Sequence, residues 1–217
     1  VVETGIVRAW VDGWVVSRGT APPQEEPWGL SVDVGLPRQV TRHVLFEADE
    51  PLVRKLTETL TAPGSWIKLF LEPEVVEPWI APGWTFDSPG WLMSAVLRPS
   101  SVGVPDGYRV RTWTQGGVTR VLVRTADGCF AARGQVTVVP GSRTGSAVID
   151  QVETDPAHRR KGLGRLVMGT LANAAAEAGA STGVLGATVD GRALYESLGW
   201  RIHGPLTGLI RPAPGAV

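Results

Sequence analysis

The chain has 217 residues, 43% of them hydrophobic, and 21 acidic side chains balance 21 basic ones. That length holds one large domain or two small ones, the charge balance argues against a broad nucleic-acid surface, and no apolar run approaches the ~20 residues that span a bilayer. The single cysteine, Cys129, excludes an internal disulfide and a cysteine-based metal cluster, and residues 1–10 lack the regions of a signal peptide, so a cytoplasmic protein is expected.

In chain order, residues 5–19 (GIVRAWVDGWVVSRG) predict one or two short strands, and residues 20–29 a loop. Leu30, Val32 and Val34 alternate with Ser31 and Asp33, the period of a strand. Residues 36–47 predict a helix with Val40, Val44 and Leu45 on one face. A second helix is expected over 50–61: Asp49 can cap it, Pro51 suits its first turn, Leu52, Leu56 and Leu60 share a face, and Pro63-Gly64 ends it. Residues 65–73 and 90–97 predict strands. The Ser-, Pro- and Gly-rich stretch 98–107 is the best linker.

Beyond the linker, residues 108–115, 116–125, 127–141 and 145–155 alternate between Gly-rich turns, which predicts an antiparallel meander. A helix follows, with Leu163, Val167, Leu171 and Ala175 as its apolar stripe. Residues 183–189 predict a strand, 191–200 a helix ended by Gly199, and 201–212 one or two last strands. Strand, helix and strand over 147–189 form a crossover, so those strands should be parallel. The fold class is therefore α/β (α+β), a mixed and mostly antiparallel sheet. No repeat at fixed period is visible. Of nine Trp residues, eight precede the long helix. They are read mainly as packing, and a minority as lining for an apolar or cationic acceptor.

The start of that long helix breaks two local rules. Arg159, Arg160, Lys161 and Arg165 sit at the positive end of the helix dipole, and Gly162 and Gly164 lower helix propensity. A bound anion reconciles both, because free N–H groups at a helix start flanked by cations form a phosphate site.

With those residues the stretch resembles the acyl-CoA signature of the GNAT N-acetyltransferase superfamily, Arg159-Arg160-Lys161-Gly162-Leu163-Gly164. The second hallmark of that family is similar to Ala193-Leu194-Tyr195-Glu196-Ser197-Leu198-Gly199-Trp200. The resemblance covers about residues 106–210. It implies an acyl-CoA N-acyltransferase fold and an acetyl-CoA-dependent N-acetyltransferase. The coenzyme A diphosphate would take backbone N–H groups from about Arg160 to Arg165, with Leu163 inside that turn, and Arg159 adding charge. The pantetheine arm would lie like an extra strand beside Val152, Glu153 and Thr154. Tyr195 would act as the acid that protonates the leaving thiolate.

A base is less evident. Asp150 and Glu153 are the candidates on their strand; simple alternation places them on opposite faces, with Asp150 sharing a face with Val152 and Thr154. Asp150 is preferred, with water as the other route. The family often has an Asn shortly before the tyrosine, and residues 188–192 contain none. The family also has two helices between its first two strands, and none is predicted over 108–139.

The expected organisation is therefore an N-terminal half-domain over residues 1–97, forming a wall of the acceptor site, and a GNAT domain over 104–217. The expected partners are acetyl-CoA as co-substrate and a small-molecule amine or peptide acceptor, with no nucleic acid, membrane or metal. His43, His158 and His203 lack metal-ligand spacing, and Cys129 has no flanking activator for an acyl-cysteine route, so direct transfer is expected. A non-catalytic acyl-CoA-binding or interaction module on the same fold is the alternative.

Overall fold

The computed structural model describes residues 2–139 and 145–213. Helix α1 (Thr4–Arg18) opens the chain, where strands were expected. Its apolar residues Val7, Trp10, Val11 and Trp14 follow a helical period and are buried, which outweighs the strand preference of its valines. Gly19, at φ 64°, ends it in the left-handed region. Strands β1 (Gln24–Glu26), β2 (Gly29–Leu36) and β3 (Gln39–Leu45) follow as an antiparallel set.

Strand β3 corrects the helix expected over 36–47. Val40, Thr41 and Val44 are β-branched, and the segment has a strand partner on each side, β2 and the later β4. Helix α2 (Glu50–Thr59) is as expected: the Asp49 carboxylate accepts from the Leu52 N–H at 2.9 Å, and Pro51 lies in the first turn. Strand β4 (Ser65–Leu69) runs parallel to β3. The one-turn α3 (Pro73–Val76), β5 (Thr85–Phe86) and β6 (Gly90–Val96) complete the first half.

The meander is β7 (Tyr108–Gln115), β8 (Val118–Thr125), β9 (Phe130–Val138) and β10 (Ser146–Thr154), antiparallel throughout. The last residues of its expected third strand, 140–141, lie outside the described residues. Helix α4 (Leu163–Glu177), β11 (Thr182–Thr188), α5 (Val189–Ser197), β12 (Arg201–Pro205) and β13 (Thr207–Ile210) close the chain. β10 and β11 are parallel, as the crossover requires.

Two sheets result, ordered β1-β2-β3-β4-β13-β5 and β12-β6-β11-β10-β9-β8-β7. Each contains one parallel crossover, β3-α2-β4 or β10-α4-β11, and each is extended by a strand from the other part of the chain. β6 pairs with β11 in the second sheet, and β13 pairs with β4 in the first.

Three cores separate the layers. Leu163, Val167 and Leu171 of α4 pack on Met93, Ile149 and Leu185 of the second sheet. Val7, Trp10, Val11 and Trp14 of α1 pack on Val148 and Val184 of that sheet and on Leu30, Val32 and Val44 of the first. Val53 and Leu56 of α2 pack on Leu45, Ile67 and Leu209. Helix α1 is thus the shared filling between the two sheets, and the order is α4, sheet, α1, sheet, α2. No helix among the described residues is long and apolar enough to cross a membrane.

Candidate active site

The site begins where β10 leaves β11. The two strands pair at Ser146, Ala147 and Val148 and not beyond. From Ile149 onward the edge of β10 that faces β11 has no strand partner, while β11 stays paired with β6 as far as Thr188. A β-bulge lies at the same place: the register with β9 shifts between Asp150 and Glu153, and Gln151 has φ 53°. Bulges of this kind re-aim side chains. The open backbone edge at Val152, Glu153 and Thr154 is free to accept an extended ligand as an added strand.

The bulge corrects the expected facing of Asp150 and Glu153. Asp150 lies opposite Gln135 and Glu153 opposite Arg133, residues two apart on β9 and so on one face. One extra residue reverses the alternation. Val152 instead lies on the α4 side, where a Cβ on Gly134 would meet it at 3.3 Å together with Val167 and Leu171.

Ahead of α4, the turn Pro156–His158 is closed by the Asp155 carboxylate, which accepts from the Ala157 N–H at 2.8 Å. Tyr108 Oη and His158 Nδ1, 2.9 Å apart, fasten this turn to β7. Arg160 at φ 62° and Gly162 at φ 79° then curl the backbone into the helix. Gly162 is the N-cap and offers no side chain, no acidic residue occupies the first turn, and the first helical bond runs from Leu166 N–H to the Gly162 carbonyl. The preceding N–H groups therefore point out of the helix end without an intrahelical acceptor. Arg159 makes a long, exposed contact with Asp190 at 3.7 Å. Among the described residues, Arg160, Lys161 and Arg165 form no ion pair. A turn of this shape is a cradle that can take an anion.

Gly164 also serves packing, since a Cβ there would approach Leu194 Cδ2 at 2.7 Å and push α5 from α4. Helix α5 is capped by Thr188, whose Oγ1 accepts from the Gly191 N–H at 3.3 Å. Thr188 thus stands at the start of the segment in which an Asn was sought. Tyr195, on α5, is 7% exposed, and its ring lies over Gly191 and beside Trp200. Burial pushes its phenol up to about 12, with the negative charge of Asp150 adding to the shift.

Asp150 is held from α1. Arg18 donates through Nε at 2.5 Å to one carboxylate oxygen and through Nη2 at 2.9 Å to the other, and Ser17 Oγ donates at 2.9 Å. Gln135 Nε2 donates to the Ser17 carbonyl at 2.7 Å. Sequence reasoning missed Ser17 and Arg18, because their segment read as strand and their partner lies 133 and 132 residues away. Beside them opens a cavity of about 740 Å³ that reaches Gln151 and Glu153 at the bulge and includes Trp113, Arg120 and Arg133 in its wall. Deeper between the sheets, Arg42 lies 3.9 Å over the Trp14 ring, and burial pulls its guanidinium down to about 10. Among the described residues no cluster of His, Cys, Asp and Glu could hold a metal.

A family model described as the acetyltransferase (GNAT) family matches residues 95–200, which span the parted strands, the cradle and Tyr195. Residues 95–200 are a GNAT acetyltransferase domain. Solved structures with the same fold extend the likeness beyond the GNAT domain. A GCN5-related N-acetyltransferase from Kribbella flavida is 19% identical with a TM-score of 0.67, covering 97% of this chain and 95% of its own. A GNAT-family protein from Novosphingobium aromaticivorans is 20% identical with a TM-score of 0.59, covering 96% and 97%. A tandem GNAT protein from the clavulanic acid biosynthesis pathway is 15% identical with a TM-score of 0.52, covering 72% and 66%. No curated protein matches the sequence. The first two likenesses include the first sheet and α1, so the fold of nearly the whole chain, not of the GNAT domain alone, has counterparts.

Proposed function

We propose that the protein is an N-acetyltransferase that moves an acetyl group directly from the thioester of acetyl-CoA to the nitrogen of an amine. The observation that carries this reading is the parting of β10 from β11 immediately before an uncapped, cation-flanked helix start. The diphosphate would take the N–H groups between Arg160 and Arg165, with Arg159 and Lys161 adding charge. The pantetheine amides would bond to the free edge at Val152, Glu153 and Thr154. The amine nitrogen forms its bond to the acetyl carbon as the carbon–sulfur bond breaks. Tyr195, whose phenol carries its proton at neutral pH, gives that proton to the departing sulfur.

The amine must lose a proton to attack. Asp150 was the preferred base, yet both its oxygens are bonded to Arg18. A bidentate guanidinium stabilises the charged carboxylate and weakens it as a base. In this reading the proton leaves through water, and Asp150 is a positioning residue that locks the C-terminal end of α1 to β10. The N-terminal segment then supplies a wall of the acceptor site through α1, in the place of the helices absent from 108–139. A cytoplasmic setting belongs to the same proposal.

The engagement of Asp150 is also the observation that favours a second reading, a non-catalytic acyl-CoA-binding module. Thiol release from acetyl-CoA across a panel of amines separates the two. The enzyme reading predicts turnover that falls at least about a hundredfold in Tyr195→Phe with acetyl-CoA binding retained. Binding without turnover, the same in both proteins, supports the module.

A further inference from the structure

We infer that the acceptor is an amine bearing its own carboxylate on an apolar, planar body, and that Arg120 selects for that carboxylate; the inference rests on the acyltransferase reading above. The cavity beside the bulge is where an acceptor would meet the thioester, because Gln151 and Glu153 belong both to its wall and to the open strand edge. Three arginines line it, Arg18, Arg120 and Arg133. Arg18 is answered by Asp150, and Arg133 by Glu153 at 2.9 Å. Arg120 donates only a long bond, 3.4 Å, to the Gln115 carbonyl, and no described carboxylate lies within ion-pair range of it.

The wall therefore holds one surplus positive charge. It also has no spare carboxylate: Glu153 is already engaged by Arg133. An ammonium with no negative group of its own meets like charge here, and a polyamine meets more of it. An aminocarboxylate brings the missing partner for Arg120, with bidentate geometry available to a guanidinium. Trp113 and Phe130, each 37% exposed, present aromatic surface in the same cavity for the apolar body.

The test measures kcat/KM with acetyl-CoA for phenylalanine, tryptophan and alanine, for phenethylamine and tryptamine as the decarboxylated partners of the first two, and for spermidine. The inference predicts that each aminocarboxylate exceeds its decarboxylated partner by about tenfold or more. Arg120→Gln should bring that ratio towards one, and Arg120→Lys should restore part of it. Trp113→Ala, at a more exposed position, should raise KM for the aromatic acids more than for alanine, which keeps the test decisive if the Arg120 variants fail to fold. Equal or better use of the plain amines or spermidine overturns the inference and leaves the acyltransferase reading standing. So does an acid-to-amine ratio unchanged in a folded Arg120→Gln. Binding of acetyl-CoA with no thiol release for any acceptor overturns both.

Discussion

Burial of Tyr195 lifts its phenol from 10.0 to about 12, so the phenol keeps its proton across the working range of most enzymes; in the proposed reading that proton goes to the leaving thiolate. The folded value lies above the unfolded one. The associated stability is therefore fully present below pH ~10 and is lost as pH rises through about 12. Thermal melts between pH 9 and pH 12 should show a steeper fall for the wild type than for Tyr195→Phe; identical slopes would remove burial as the cause. The helix that carries Tyr195 was legible because Leu194 and Gly199 lie close to it in sequence. The surroundings of Asp150 were not, because its partners Ser17 and Arg18 belong to a distant helix and a bulge at Gln151 changes which face Glu153 occupies. Alternation is a rule for regular strands, and an inserted residue breaks it.

At the scale of elements, α1 fills the space between the two sheets and, in the proposed reading, walls the acceptor side. A Cβ at Gly13 would overlap Val148 Cγ2, so the helix lies on β10 at glycine distance. Gly13→Ala should destabilise the protein by about 1–3 kcal/mol through overpacking, and Val148→Ala in the same chain should recover part of it. Denaturant titration of the four proteins of that cycle measures the coupling; strictly additive effects would contradict the contact. Arg18→Gln should cost about 1–3 kcal/mol: Arg18 is 39% exposed, but its loss leaves Asp150, only 14% exposed, with Ser17 as its remaining donor. It should raise KM for the acceptor while leaving KM for acetyl-CoA near its wild-type value, which steady-state kinetics with each substrate varied would check. The helical period of Val7, Trp10, Val11 and Trp14 was present in the sequence. The valines and tryptophans of that segment favour strand just as well, and only burial between two sheets settles the choice. The reverse holds for β3, where Val40 and Val44 share a helical spacing but the partners β2 and β4 impose a strand.

At the scale of the molecule, the two halves are interlocked. β6 lies inside the sheet that carries β10 and β11, between β11 and β12, while β13 lies in the other sheet between β4 and β5. Neither half keeps a complete sheet without the other. A protein beginning at residue 98 should be insoluble or inactive, since it lacks β6 and α1 and exposes one edge of β11 and the β10 face under Val148. The full chain should unfold in one transition by both fluorescence and circular dichroism; a monodisperse, active fragment or two separated transitions would contradict the interlock. Local patterns revealed most strands and both later helices. The exchange of β6 and β13 joins segments more than 80 residues apart, and nothing in their own sequences names the partner.

The central claim is that the turn from Arg159 to Arg165 grips a diphosphate. Calorimetric titration with acetyl-CoA tests it most directly, on the wild type and on Gly162→Val, whose side chain would be forced into the φ 79° backbone of the cradle. The account predicts saturable one-site binding that weakens with added salt and falls at least about tenfold in the variant. No heat of binding, or equal affinity in the two proteins, would contradict it.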